Sequence, residues 1–238
     1  MIRLAFNVAG WAAWSPVRTD RAAWHDWAGL PPPPSQPPDP PPAVLRRRIT
    51  GIGQRALQAA WSLPASHDAP IVFASRDGEC ARTISILDTL DHPDRFSPAD
   101  FSLSVHHALA GLLSIARGNH AAHSSVAAGR DSLWCGVLEA ASRCLADAPG
   151  TTVLLAYHAE PLPPPYGGFD EDDPETIALA LEITTGPGTG LCLTAADSGP
   201  SPARAPGEAF LHTLLTGTPT TVQGERGLWH LARTHAVA

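Results

Sequence analysis

Lysine is absent from this 238-residue chain, and all 16 basic residues are arginine. Alongside abundant alanine, glycine and proline, that absence marks genome composition rather than function. The formal net charge is −7, and the one basic cluster, Arg46-Arg47-Arg48, is too small to track a phosphate backbone, which excludes a nucleic-acid footprint. No apolar run approaches the ~20 residues that span a bilayer, so no transmembrane helix is expected. Residues 1–7 lack an apolar core segment, so no signal peptide is expected. Cysteine is scarce: Cys80, Cys135, Cys144 and Cys192 show no C-x-x-C spacing, which argues against a disulfide framework and for reduced thiols in a cytoplasmic protein. Internal repeats are also missing.

What is present is a globular composition, 44% hydrophobic, enough for one large core. Residues 2–9 alternate as a strand. The segment from Trp11 to Trp27 holds four of the seven tryptophans and is expected to cover an apolar surface. Nine of the twelve residues from Pro31 to Pro42 are proline; that loop is extended polyproline II and reads as a stiff surface connection. Helical spacing covers 43–62, with the arginine triplet on the wet side. A buried strand is expected at 69–75, a helix at 78–90, one helix over 103–117, a buried strand at 124–128, and a helix from a cap at Asp131 or Ser132 to about Ala146. Strands follow at 151–157, 176–184 and 190–195, the last two joined by a hairpin-like turn at 185–189. A helix near 206–216 and a strand at 227–232 close the chain. Strand–helix alternation predicts one α/β domain over 1–238 with a mainly parallel sheet of about five strands flanked by helices.

Several constellations have a bland reading. Ser132 fits a helix cap and Cys135 a small buried apolar residue, although either could serve an acyltransferase or thioesterase as nucleophile. His106, His107, His120 and His123 cluster locally, but zinc sites show three or four ligands at defined spacing, so no metal is expected. The acidic run Asp170-Glu-Asp-Asp173 lacks the interleaving of a calcium loop. Gly186–Gly190 lies between two strands and reads as a turn, not a phosphate loop. No cofactor motif is present.

The segment 101–131 is more specific. A helix over Ser104–Arg117 with an Ala-Gly-Leu-Leu-Ser-Ile-Ala core is followed by Gly118-Asn119, a strand at Ser124–Ala128, and a tight turn into a helix. A thiolate works best at such a helix head, where dipole and free amides lower its pKa and hold an oxyanion. Here the turn carries Gly129 and Arg130, and neither can attack a thioester.

This order of elements resembles β-ketoacyl synthases, in which the turn carries the nucleophilic cysteine. Ala127-Ala128-Gly129-Arg130 is similar in placement to the Ala-Ala-Glu-Gln motif of chain-length factors in type II polyketide systems. Phe73-Ala-Ser-Arg76, Gly78-Glu79 and Phe101–His106 resemble short, single-half relatives found with aryl polyene pathways. The resemblance implies one thiolase-like half without a catalytic residue, and a heterodimer with a full-length β-ketoacyl synthase that reaches acyl carrier protein through that complex. It implies an interface or tunnel contribution from Phe101, Ser104, His107, Leu112, Ser125, Val126, Ala128 and Arg130. The chain is too short for the second half of the duplicated ketosynthase fold, and His158, His212 and His230 sit in no recognisable ketosynthase histidine motif.

Overall fold

A computed structural model describes residues 3–34, 40–43, 49, 51–65, 68–90, 97–164, 166–169, 175–196, 204–225 and 227–234. The arginine triplet, the centre of the proline run at 35–39 and the acidic run at 170–173 lie outside the described residues.

The elements are β1 (Arg3–Trp14), α1 (Arg21–Trp27), α2 (Gly51–Trp61), β2 (Ile71–Ser75), α3 (Cys80–Leu87), α4 (Pro98–Ser104), α5 (Ala108–Arg117), β3 (His123–Val126), α6 (Ser132–Ala146), β4 (Thr152–Ala159), β5 (Ile177–Thr184), β6 (Thr189–Ala196), α7 (Pro206–Thr216), β7 (Thr220–Gln223) and β8 (Leu228–Arg233). The eight strands form one sheet in the order β3-β2-β4-β5-β1-β6-β8-β7. Only β2 with β3 and β2 with β4 pair in parallel; the other five pairings are antiparallel. The expected α/β layering holds, but the sheet is larger than five strands and mixed rather than mainly parallel. The antiparallel pairs are β4 with β5, β1 with β5 and β6, and β8 with β6 and β7.

Strands β4 and β5 are buried along nearly their whole length and supply both faces of the sheet. Alternation sends Val153, Leu155, Tyr157, Leu179 and Leu181 to one face, where α6 and α7 add Trp134, Val137, Ala141, Phe210 and Leu214. Leu154, Ala156, Ala178 and Ala180 point the other way, against Ile52, Ala56, Leu57 and Ala60 of α2 and Leu109 and Leu113 of α5. Helix α6 comes in close because residue 136 is glycine: a Cβ there would lie 2.8 Å from the Ala74 Cβ and 3.1 Å from a Leu155 methyl.

The turn at 185–188 is not a hairpin between paired strands. β1 lies between β5 and β6 and pairs with both. The connection crosses the middle of β1, where Asn7 Nδ2 donates to the Gly186 carbonyl at 2.6 Å and a Cβ on Gly188 would sit 2.7 Å from the Val8 carbonyl oxygen. The early tryptophans behave as expected: Trp24 is fully buried and Trp11 is 6% exposed. Arg18 lies over both Trp24 and Trp27, at 4.9 and 4.7 Å.

Candidate functional site

β3 runs through Ala127 and Ala128 into a single tight turn, Gly129–Asp131, and then into α6. Gly129 has φ +54°, a left-handed conformation in which any side chain would be strained. No thiol stands between Ala127 and Ser132. The Ser132 hydroxyl donates to the Gly129 carbonyl at 2.8 Å and accepts from the Ala128 amide at 2.9 Å. It is 1% exposed, so it staples the turn. Cys135 is half-buried, three residues into α6, and packs against the core on the α6–α7 face.

Asp131 is not the expected helix cap, since its side chain makes no capping bond. Its carboxylate accepts from the Trp229 indole N–H at 2.7 Å and from the Glu225 amide at 3.2 Å to each oxygen. The tip of the β7–β8 hairpin is thereby drawn onto the turn, and Glu225 Oε1 accepts from the Arg130 amide at 3.1 Å. β7 and this clamp were missed in the sequence, although Gly224 and Gly227 flank a two-residue hairpin tip.

The second part of the site is the open side of β3. Among the described residues this strand pairs only with β2 and ends the sheet, and its residues are half-buried rather than buried as expected. The expected single helix 103–117 is two helices, α4 and α5, broken at Val105–His107. At the break His106, exposed overall, reaches Ser75, with its Nδ1 3.2 Å from Ser75 Oγ, and its ring would be 3.0 Å from a Cβ on Gly78. The Ser125 hydroxyl donates to the His106 carbonyl at 3.2 Å and lies 3.1 Å from His107 Nδ1, tying α5 to β3. The His107 and His123 rings lie 4.5 Å apart between centroids, tilted by 31°. Burial, and then the neighbouring His123, hold His107 below the usual imidazole range.

Of the remaining expected interface residues, Phe101 is 59% exposed; Ser104, Ser125, Val126, Ala128 and Arg130 are half-buried. Leu112 packs partly into the α2–α5 core. Val105 and Ile115 are also exposed apolar residues of this segment. Of the expected interface residues the structure joins His107 to Ser125, while Val126 packs against the α6–α7 core.

Charged and titratable groups also gather beyond the carboxyl ends of β2 and β4. Burial pushes the Glu79 carboxyl up to about 7, with Arg82 pulling down and Glu160 pushing up. Burial, with a contribution from His106, pushes His158 down to about 4. Cys80, His158 and Glu160 line a cavity of only about 10 Å³, room for roughly one water. No acyl chain fits there. His120 and His123 join no larger group: among the described residues no three His, Cys, Asp or Glu side chains converge as a metal site. No helix among the described residues is long and apolar enough to cross a membrane.

A mixed sheet covered on both faces, with the strand–turn–helix of a condensing enzyme at one end, defines a thiolase-type ketosynthase half. Residues 22–231 match the beta-ketoacyl synthase, N-terminal domain family, and the chain belongs to that family. Over 97% of its length it is similar, at 28% identity and TM-score 0.81, to the whole of a chain in the complex of the ketosynthase ApeO with its chain length factor ApeC from Xenorhabdus doucetiae. The fold is shared with the ishigamide ketosynthase/chain length factor at 18% identity and TM-score 0.57, over 76% of this chain and 62% of that one. It is also shared with a beta-ketoacyl synthase from Burkholderia phymatum STM815 at 12% identity and TM-score 0.56, over 90% and 71% of the two chains. Among curated proteins none matches the chain.

Proposed function

We propose that this chain is a non-catalytic chain-length-factor subunit, a single domain over 1–238 that pairs with a full-length β-ketoacyl synthase and shapes its acyl tunnel. The observation that carries the reading is the turn at the head of α6. It retains the strand, the tight backbone and the helix that present a nucleophile, but has Gly129 and Arg130 where a thiol would stand. Similarity to a chain of a ketosynthase–chain length factor complex supports the pairing. The half-buried edge of β3 beside α4 and α5 supplies a surface for it, with Phe101, Ser104, His107, Ser125, Val126, Ala128 and Arg130 toward the partner and Leu112 behind them. An unpaired strand edge carries a row of unused amides and carbonyls that a second strand satisfies. In an aryl polyene type of pathway, acyl carrier protein would meet this subunit through the complex.

The test is co-expression with a full-length ketosynthase and carrier protein. Co-elution, with a change in product chain length when this chain is omitted, is the expected result. Separate elution with unchanged products overturns the proposal. Incubation with a mass-tagged acyl thioester should label neither Ser132 nor Cys135, because one hydroxyl is spent in the turn and the thiol is half-buried against the core, away from the helix head.

A further inference from the structure

The loss of a nucleophile does not by itself close a helix head to a thioester carbonyl, because an unspent amide there can still donate to it. In this turn the Asp131 amide is spent on the Ala128 carbonyl, and a side chain from 95 residues further on takes the Arg130 amide: Glu225 Oε1 accepts its hydrogen at 3.1 Å. The same oxygen lies 2.5 Å from where a Cβ on Gly129 would be, with the Glu225 Cδ and Cγ at 3.1 and 3.3 Å. The contact is held from behind, since Asp131 takes the Glu225 amide and the Trp229 indole N–H. A Cβ on Gly224 would strike the Asp131 carboxylate and the Trp229 ring, which shows how closely the tip is seated. Glycine at 129 therefore has two reasons: its positive φ, and the space that Glu225 fills.

We propose that the β7–β8 tip is a built-in plug, in which Glu225 occupies the space over the turn and places a negative charge where a thiolate or an oxyanion would develop. The inference rests on reading the turn as the nucleophile's place. Its consequence is specific: the site is locked twice, and restoring a thiol alone does not restore a reactive one. A carboxylate about 4 Å from a thiol disfavours the thiolate by about fivefold in a solvated setting. Glu225 is itself exposed, so a solvated setting applies.

The experiment compares Arg130→Cys with Arg130→Cys/Glu225→Gln in the full chain. Iodoacetamide alkylation is followed peptide by peptide by mass spectrometry, so that the introduced thiol is separated from Cys80 and Cys135, across pH 5.5–9.5. The expected result is about fivefold faster alkylation at pH 7 in the double variant, with a correspondingly lower thiol pKa. Equal rates and equal pKa values overturn the plug. A stability cycle covers the case in which Arg130→Cys does not fold: Gly129→Ala should lower the melting temperature more in the parent than in a Glu225→Ala background. Equal shifts overturn the plug as well. Neither measurement uses a partner ketosynthase, so failure to pair would sink the subunit reading without touching this result.

Discussion

Arg117 offers the sharpest test of how this fold is held. It ends α5, yet is only 8% exposed. One guanidinium nitrogen donates to the Ala60 carbonyl at 2.7 Å and to Leu63 at 3.1 Å, and another to Ala65 at 3.3 Å. These carbonyls belong to the last turn of α2 and the chain leaving it, where a helix has acceptors without partners and a negative dipole end. The guanidinium also lies 5.6 Å from the Trp61 ring centre, and burial lowers its pKa while Glu182 raises it. Arg117→Met keeps the stem and removes every donor, leaving buried carbonyls and a buried carboxylate uncompensated; the expected loss is about 3–5 kcal/mol. Arg117→Lys keeps the charge but not the fork, and should lose about 2 kcal/mol. The control is Arg143→Met, which breaks a solvent-facing pair with Glu139 at 2.8 Å within α6 and should cost about 0.3–0.5 kcal/mol. Urea unfolding followed by circular dichroism reads all three. Equal losses for Arg117→Met and Arg143→Met would refute the reasoning.

Gly136→Ala should destabilise by about 1–3 kcal/mol in the same assay, because the new methyl meets Ala74 and Leu155 and α6 must shift outward. Burial pushes Glu175 up to about 7 against the pull of its Gly207, Tyr157 and Glu208 donors. A folded-state value above the ordinary 4.5 means that its stabilising contribution is complete below about pH 4.5 and lost as pH rises through about 7. Glu175→Gln should therefore remove that decline from a plot of unfolding free energy against pH. His158, pushed down to about 4, contributes above about pH 6.5 and loses its contribution as pH falls, so an opposite slope should remain in the variant. Phe101→Glu should leave the melting temperature within about 2 °C, since Phe101 is 59% exposed, while weakening co-elution with a ketosynthase at least tenfold. Unchanged co-elution would move the pairing surface elsewhere.

Part of the architecture was legible because its signals are local. Pro206 at the first turn and Gly217 just after the end bracket α7. The apolar runs of β2, β4 and β5 read as buried strands and are. The missing thiol at 127–132 is a fact of sequence alone. The helix expected over 103–117 was misread because periodicity does not register the break at Val105–His107, where His106 reaches Ser75, 31 residues away. The strand at 124–128 was expected to be buried because its composition suits a core, but burial depends on neighbours, and among the described residues β3 has only one.

What the sequence determined, then, is the order and kind of the elements, the two-faced hydrophobic pattern that layers helices on both sides of a sheet, and the absence of a thiol from the turn at the head of α6. Tertiary structure decided which strands are neighbours. β1 lies between β5 and β6 and pairs with both along its twelve residues; every strand has two edges, and no local pattern says which later strands will take them. It also decided that the vacant turn is covered: the Glu225–Arg130 contact joins residues 95 apart, and its geometry exists only after β7 and β8 have paired and Asp131 has seized Trp229. Helix and strand are written in periods of a few residues, whereas the closing of a site is set by groups that meet only when the sheet is complete.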